Sequence, residues 1–266
     1  LLLPLLSQME LFDTPSSKGL DTHDYDIFER FHNREVKAKH IFEIKEVTKV
    51  EAYDFVKEFH YLSEAKFFAK YSYGLFINVG DYPIMVGCAS YSNPQGISSM
   101  KGWFGLPNSS QDVMELSRLC VLPELNGSNA SSYLLGNSIK HLKNYNVKAV
   151  ITLADASRHV GSIYQVCNFS YYGLTSKKTD FYCSDGRINP RGKTKNLRGV
   201  WLERTRKHRY CYILDKNFTP LLSKQPAPKK GTEIKPICCE GESKVYDNRF
   251  GEFFDCPKCF ETKKEK

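Results

Sequence analysis

Residues 151–173, ITLADASRHVGSIYQVCNFSYYG, place several polar side chains directly after a short apolar stretch. The apolar, partly β-branched run Ile151–Ala154 predicts a buried strand, and residues 160–167 predict a short helix. Asp155 ends the strand, and Tyr164 lies in the helix. A carboxylate at a strand end either caps the next helix or acts in catalysis, and a tyrosine either packs its ring or protonates a leaving group. Both alternatives stay open for both residues.

A second polar pair, His60 and Tyr61, follows a predicted helix whose start is marked by Thr48 and Glu51. Thr followed three positions later by Glu is typical of a capping box. Histidine titrates near neutral pH, so His60 is a candidate acid or base, although a single histidine is more often a surface or capping residue.

A third candidate is the segment 126–132, NGSNASS, which leads from a predicted strand into a predicted helix. Small residues let backbone amides approach an anion, and the helix dipole adds to the attraction. Asn129 and Ser131 are therefore candidate contacts to the phosphates of a cofactor. A tight turn with a helix cap accounts for the same residues equally well.

These clusters need a scaffold, and the hydrophobic periodicity predicts one. Strands are predicted at 41–45, 71–79, 83–90, 113–122, 147–154, 169–176 and 209–214, and helices at 24–31, after Thr48, at 130–144 and at 160–167. Residues 93–110 are predicted to form a long loop that carries Trp103 and Phe104. This order predicts an α/β fold: a mixed, mostly antiparallel sheet of six to seven strands with helices on both faces.

Several ordered motifs together resemble the Mom family of bacteriophage DNA-modification proteins, a divergent branch of the GNAT acyltransferase superfamily. The resemblance covers roughly residues 40–215 and rests on five short motifs. They are His60-Tyr61, ELSRL at 115–119, Asn129-Ala130-Ser131, Leu153-Ala154-Asp155 and GSIYQ at 161–165.

The resemblance implies a GNAT-like fold and an enzyme that converts adenine in duplex DNA to an N6-carbamoylmethyl (glycinamide-like) adenine, which shields phage DNA from host restriction nucleases. The active-site set that it implies is His60, Tyr61, Arg118, Ser131, Asp155 and Tyr164. The transferred group would arrive on a coenzyme A thioester or on an aminoacyl-tRNA, and both carriers stay open. The family is also associated with iron, for which His60, Tyr61 and Asp155 offer nitrogen and oxygen ligands.

The charge of the chain favours a polyanionic partner, because the formal net charge is +8 and the pI is near 8.9. Lysines and arginines are concentrated in residues 177–209, where aromatic rings are interleaved with them. We expect this segment to follow the phosphates of double-stranded DNA and to stack on bases, although a basic run can also be a solvated face. Its candidate contacts are Arg187, Arg191, Lys193, Lys195, Arg198 and Trp201. Because adenine N6 is reached by flipping the base, Trp103 and Phe104 are candidates to clasp or replace it.

Four cysteines near the end of the chain, Cys238, Cys239, Cys256 and Cys259, could supply thiolates to a zinc ion. The spacing of Cys256 and Cys259 suits a zinc knuckle, whereas adjacent Cys238 and Cys239 suit tetrahedral ligation poorly. A degenerate zinc ribbon and an unligated tail remain equal alternatives.

The predicted organisation is a flexible lead at 1–39, a catalytic domain at 40–220, a Pro/Lys-rich linker at 221–236 and a Cys-containing tail at 237–266. Because Met9 lies close to the start, residues 1–8 stay open between a part of the natural protein and an over-extended reading frame. The segment LLLPLL is too short to cross a bilayer and lacks a basic flank. We therefore expect reduced cysteines and a cytoplasmic protein without membrane contact, and the family resemblance implies that it is phage-encoded.

Two other functions fit the same residues. One is a GNAT N-acetyltransferase that acts on a protein or a small amine, which coenzyme A binding without DNA affinity would favour. The other is a non-catalytic DNA-binding protein, which salt-sensitive DNA binding without a product would favour.

Overall fold

The structure of the chain is a computed structural model, which describes residues 22–60, 66–79, 82–94, 99–107, 110–183, 188, 198–232, 244–247 and 252–255. The predicted residues Tyr61, Arg187, Arg191, Lys193, Lys195 and the four tail cysteines lie outside the described residues. The chain divides into two compact units. The first unit is Leu1–Thr152 with Tyr212–Leu222, and the second is Leu153–Cys211 with Ser223–Lys266.

The helices are α1 (Thr22–His32), α2 (Ala38–Ile41), α3 (Lys49–Phe59), α4 (Ser99–Phe104), α5 (Ala130–Leu142) and α6 (Ser162–Val166). The strands are β1 (Phe42–Glu46), β2 (Tyr71–Val79), β3 (Tyr82–Ser92), β4 (Val113–Val121), β5 (Ala149–Asp155), β6 (Ser170–Leu174), β7 (Thr179–Cys183), β8 (Gly199–Glu203), β9 (Lys207–Ile213), β10 (Lys244–Asp247) and β11 (Glu252–Asp255). None of the helices in the described part of the chain is long and apolar enough to cross a membrane.

Seven strands form one sheet in the order β1-β2-β3-β4-β5-β9-β6, and two hairpins, β7-β8 and β10-β11, stand apart from it. Strands β1 to β4 pair antiparallel, β4 pairs parallel with β5, and β6 pairs antiparallel with β9. The predicted fold class, a mixed and mostly antiparallel sheet of six to seven strands, is confirmed.

Both faces of the central strands are buried. On one face, Tyr91 and Tyr73 contact α5, through a hydrogen bond of 2.7 Å between the hydroxyls of Tyr91 and Ser138 and through stacking of Tyr73 on His141. The other face carries Ser72 and Ser90, whose hydroxyls lie 3.0 Å apart and are buried. A buried hydroxyl pair is stable because each group satisfies the other.

Helix α3 begins as its sequence predicts. The Thr48 hydroxyl accepts from the Glu51 amide at 3.2 Å, and the Glu51 carboxylate accepts from the Thr48 amide at 2.7 Å. This capping box holds the start of the helix, and the buried side chains Ala52, Phe55 and Val56 hold its inner face. The helix ends at Phe59, and His60 is its C-cap residue. The position of His60 therefore depends on how α3 packs.

Residues 93–110 differ from the predicted loop, because they contain α4. Within this helix Trp103 is 5% exposed and Phe104 9% exposed. The Phe104 ring stacks on Phe218 at 4.8 Å, and the Trp103 carbonyl accepts from the Leu221 amide at 2.7 Å. The helix forms because burying these two rings stabilises it more than its Ser- and Gly-rich sequence disfavours it.

The first part of the predicted linker lies against the second unit. The Gln225 amide donates to the Tyr171 carbonyl at 2.9 Å, and the Pro228 carbonyl accepts from the Gln165 side chain at 3.1 Å. Gly173 allows this approach, since a Cβ there would lie 2.6 Å from the Gln225 side chain. We call residues 223–228 the strap.

Candidate active site

The residues predicted for catalysis, cofactor binding and DNA contact divide between the two units. His60, Arg118, Asn129 and Ser131 belong to the first unit, and Asp155, Tyr164, Arg198 and Trp201 belong to the second. Each group is described within its own unit below.

In the first unit the structure brings His60 and Arg118 together. His60 caps the C-terminus of α3 with its amide, which donates to the Val56 carbonyl at 2.9 Å. Burial lowers the pKa of the His60 imidazole to about 4, and the nearby positive charge of Arg118 contributes to the shift. At neutral pH the ring is therefore uncharged and able to accept a proton, as a general base must.

A β-bulge on β4 positions Arg118. Ser90 of β3 is paired with Arg118, but the next residue, Tyr91, is paired with Leu116, so Ser117 is the extra residue. The Ser117 hydroxyl lies 3.0 Å from the Ser90 carbonyl oxygen and 3.1 Å from that of Phe68. The bulge thus lets two consecutive residues of β4, Ser117 and Arg118, contact carbonyl oxygens of neighbouring segments of the chain.

The Arg118 guanidinium is partly committed to that backbone. Nη1 donates to the Ser117 carbonyl at 2.7 Å and Nη2 to the Lys66 carbonyl at 3.2 Å. Its Nε is buried and has no hydrogen-bond partner among the described residues. A buried cationic N–H without an acceptor is costly, so its acceptor has to come from outside the described residues.

The N-terminus of α5 offers a candidate phosphate site. Gly127 has φ +84°, a backbone conformation that favours glycine, and it turns the chain into the helix. Asn129 occupies the N-cap position without a side-chain cap hydrogen bond, and the Ser128 hydroxyl accepts from the Ala130 amide at 3.2 Å. Helix geometry leaves the Ser131 amide in the first turn without an intrahelical acceptor, so it points at the place where an anion would sit.

The parallel ladder beside this helix is short. Strand β4 pairs with β5 only over Val113–Glu115 and Ala149–Ile151. The buried Thr152 hydroxyl then donates to the Leu116 carbonyl at 3.3 Å. Residues 117–121 of β4 run past the end of this ladder, so the bulge and Arg118 lie where the two strands have stopped pairing.

In the second unit, Asp155 shapes a turn. Its Oδ1 accepts from the Ser157 amide at 3.0 Å and from the Ser157 hydroxyl at 2.7 Å. Asp155 therefore holds the turn after β5. It does not cap the next helix, since α6 begins at Ser162 with Gly161 at its N-cap.

Tyr164 lies on α6 and is 9% exposed. Its ring centroid is 5.7 Å from that of Phe169 and 5.4 Å from that of Tyr210. The next residue, Gln165, donates through Nε2 to the Tyr210 hydroxyl at 3.0 Å and to the strap carbonyl of Pro228. A five-residue helix is not stable alone, so these side-chain contacts determine where Tyr164 lies.

The basic segment contains a hairpin that its sequence did not predict. Strands β7 and β8 pair from Thr179 with Glu203 to Cys183 with Gly199. Trp201 is 50% exposed and its ring lies 5.2 Å from that of the buried Phe181, while Arg198 is exposed at the start of β8. An ion pair joins Arg204 and Asp180 at 3.7 Å. The predicted DNA contacts Trp201 and Arg198 are thus both accessible.

Trp103 does not fit the role predicted for it, because a ring that is 5% exposed has no free face on which a base can stack. It packs in the first unit with Phe104, at 6.0 Å between ring centroids. Trp103 is a core residue of α4.

The described residues contain no group of three His, Cys, Asp or Glu side chains that could hold a metal ion. His60 has the neutral imidazole that iron requires, but the described part of each unit supplies too few further ligands around it. The five described cysteines, Cys88, Cys120, Cys167, Cys183 and Cys211, are free thiols. The predicted iron therefore has no step in the chemistry proposed below.

Three residues, Ser117, Ser128 and Gln165, lie in motifs that the sequence interpretation singled out, but it assigned none of them a role of its own. Ser117 and Gln165 act on residues that are 49 and 63 positions away, respectively, which no local pattern contains.

Comparison with known protein families shows that residues 41–229 match the Mom protein family. A comparison with curated protein sequences finds no match. Among solved structures, the ribosomal-protein-S18-alanine N-acetyltransferase from Escherichia coli is similar, with 13% sequence identity over 66% of this chain and 95% of that chain and a TM-score of 0.39. A GNAT family acetyltransferase from Elizabethkingia anophelis with acetyl-CoA bound is 14% identical over 65% of this chain and 98% of that chain, with a TM-score of 0.36.

Proposed function

Because the chain belongs to the Mom protein family, we propose that it transfers a carbamoylmethyl-type group to the N6 amine of adenine in DNA. With a glycyl thioester or a glycyl-tRNA as the carrier, N6 attacks the carbonyl carbon, an N6–C bond forms and the C–S or C–O bond to the carrier breaks, which gives the glycyl amide of adenine. The carbamoylmethyl isomer requires a donor in which the carrier leaves from the CH2 carbon of the group. N6 loses one proton to a base, and the departing carrier takes the bonding electron pair and a proton from an acid.

The neutral His60 beside Arg118 is the observation that carries the proposal. The exocyclic amine of adenine is a weak nucleophile, so a base has to remove its proton as the new bond forms. His60 is uncharged at neutral pH because burial and the Arg118 charge hold its pKa low. Arg118 then stabilises negative charge on the carrier through the positive charge of its guanidinium.

The family resemblance is the basis for the proposed acid and for the proposed partner of the amine. Tyr164 is the proposed proton donor to the leaving carrier, held by Phe169 and Tyr210. Asp155 accepts from the amine through its second carboxylate oxygen, while Ser157 fixes the first. These roles follow from residue chemistry and the family resemblance.

The carrier presents phosphate to the N-terminus of α5. Both a coenzyme A thioester and an aminoacyl-tRNA carry phosphate groups, which the Ser131 amide and the helix dipole attract. The GNAT-like fold favours the thioester, and adding the two carriers separately to purified protein distinguishes them, because only the true carrier should yield modified DNA.

DNA is the proposed partner because of charge and aromatic exposure. The chain has a formal net charge of +8, and the connection from β7 to β8 contains Arg187, Arg191, Lys193 and Lys195. Trp201 is half-exposed on the same hairpin. Since adenine N6 lies in the major groove, a group attached there would also block restriction nucleases that read this edge, as phage DNA needs.

Mass spectrometry of nucleosides tests the proposal. Plasmid DNA from bacteria that express the chain should contain a deoxyadenosine heavier by C2H3NO, and Tyr164→Phe should remove it. Tyr53→Phe, which loses the hydroxyl of a tyrosine 40% exposed on α3, is the matched control and should keep it.

Alkaline hydrolysis then separates the two isomers of that composition. A carbamoylmethyl group gives N6-carboxymethyladenine, whereas a glycyl amide returns adenine. Unmodified adenine from soluble, folded protein would reject the proposal, and acetylated protein or amine in the same cells would favour the acetyltransferase alternative.

A further inference from the structure

The segment Lys66–Lys70, KFFAK, directly precedes β2 in the sequence. Hydrogen bonds fix its backbone at three places. Arg118 donates to the Lys66 carbonyl at 3.2 Å, and the Ser117 hydroxyl lies 3.1 Å from the Phe68 carbonyl oxygen. The Lys70 amide donates to the Tyr91 carbonyl at 2.7 Å. The two bulge residues of β4 thus hold this segment by its carbonyls.

Exposure alternates along the segment, as in an extended chain. Phe67 and Ala69 are half-buried, and the Phe67 ring lies 5.8 Å from that of Tyr53 on α3. Lys66, Phe68 and Lys70 are exposed, and the Phe68 side chain is 46% exposed. Alternate residues of an extended chain share a face, so one aromatic ring stands between two lysines that are about 13 Å apart at about 3.3 Å per residue.

Single exposed apolar residues are normal on a protein surface and need no explanation. Phe68 differs in two respects, because its backbone is anchored on both sides and its neighbours on the same face are both cationic. A fixed aromatic ring loses little freedom when it stacks, and flanking lysines suit the phosphates on either side of a base.

We propose that Phe68 enters the DNA base stack where the target adenine is turned out, with Lys66 and Lys70 on the flanking phosphates. Lys70 would exchange its hydrogen bond to the Gln111 side chain for a phosphate oxygen. The inference rests on the proposed function and names the residue that opens the duplex. An apolar side chain that takes the place of a flipped base compensates for the lost stacking. The sequence suggested Trp103 and Phe104 for this role, but both are buried.

The same contacts connect the segment that carries Phe68 to His60, the proposed general base. Arg118 holds the Lys66 carbonyl and also lowers the pKa of His60. The residue that takes the place of the adenine is therefore connected through Arg118 to the group that would deprotonate it.

Fluorescence of 2-aminopurine, placed in a duplex at the target adenine, tests base opening without catalysis. Its emission rises when the base leaves the stack. Wild-type protein should raise the emission, Phe68→Ala should lower that rise about tenfold, and Phe68→Trp should keep it. Val50→Ala, which shortens a 69% exposed apolar residue on α3, is the control and should behave as wild type.

The rate of modification provides the second readout. Phe68→Ala should slow modification of duplex DNA about tenfold or more and leave the rate on single-stranded DNA unchanged, because an unstacked adenine needs no opening. An unchanged emission rise in Phe68→Ala, or an equal loss on duplex and single strand, would overturn the inference. If wild-type protein opened the duplex through Phe68 but made no product, the proposed function would fail and this inference would stand.

Discussion

The His60 imidazole is half-buried close to the guanidinium of Arg118, and burial first and that charge second lower its pKa to about 4. Because a base works only when unprotonated, we expect kcat/KM for DNA modification to stay constant from pH 8 to about pH 5 and to fall near pH 4. A falling limb near pH 6.5 would show that the acting base is an ordinary histidine. NMR titration of the His60 ring measures the same pKa without activity.

Arg118→Met tests the cause of that shift. Removing the charge should raise the pKa of His60, so the fall in kcat/KM should move to higher pH. Arg118→Lys keeps the charge and should leave the pKa of His60 low.

The protonation of His60 also affects the free energy of unfolding. The neutral ring favours the folded state above the unfolded pKa of 6.5, and that contribution is lost as the pH falls from 6.5 towards 4.

Gly161→Ala should destabilise the second unit by about 1–3 kcal/mol. Gly161 has φ +74°, and a Cβ there would lie 2.6 Å from the Tyr210 ring and 2.9 Å from that of Tyr164. Gly136→Ala is the control: it has open space in the middle of α5 and should stabilise by about 0.5–1 kcal/mol. Urea unfolding measures both, and equal effects of the two substitutions would contradict the structure.

Ser117→Ala should loosen the Lys66–Lys70 segment. The hydroxyl that lies 3.1 Å from the Phe68 carbonyl is lost, and a hydrogen bond of this kind contributes about 0.5–1.5 kcal/mol. Trypsin should then cleave after Lys66 and Lys70 about two- to tenfold faster, because cleavage follows the open fraction. Exposed Ser176→Ala is the control, and cleavage at wild-type rates in Ser117→Ala would show that the hydroxyl does not restrain the segment.

Thr48→Ala should lower the free energy of unfolding by about 1 kcal/mol at pH 7, with Thr48→Ser close to wild type. The Thr48 hydroxyl and amide lower the pKa of the Glu51 carboxyl below its ordinary value of 4.5. Their contribution is present above that value and is lost as the pH falls through the lower folded pKa. The difference between variant and wild type should therefore shrink in urea unfolding at pH 3, and a constant difference would argue against the capping box.

Ending the chain after Thr232 should preserve the stability of the second unit, whereas ending it after Leu222 should not. The shorter chain lacks the strap, whose contacts with Tyr171 and Gln165 support α6. Thermal unfolding of the two truncations and of the full chain separates these outcomes. Equal melting temperatures for both truncations would mean that the strap contributes nothing.

Local patterns in the sequence predicted most of the fold. Thr48 and Glu51, which are three positions apart, mark the start of α3. Alternating apolar and polar residues mark strands β2 to β4. The mixed sheet follows from such elements and their order. The helix α4 was missed because Ser99–Phe104 has weak helix propensity, and burial of two rings decides its structure.

The sequence predicted which residues belong to the candidate site, but it did not predict their contacts or their burial. His60 and Arg118 were singled out and do lie together, but the pKa of His60 depends on burial, which a sequence does not display. Asp155 was open between capping the next helix and catalysis, and only the Ser157 contacts show that it holds the turn after β5. Phe68 carried no signal, because its exposure depends on the distant residues Ser117 and Arg118.

The strap has a consequence for synthesis on the ribosome. Gln165 reaches its partner Pro228 63 residues later in the chain. At about 5–20 residues per second, translation needs roughly 3 to 13 s to cover that interval. During this time the Tyr164 helix has emerged without one of its anchors, so the nascent second unit is assembled only after residue 228 has left the ribosome.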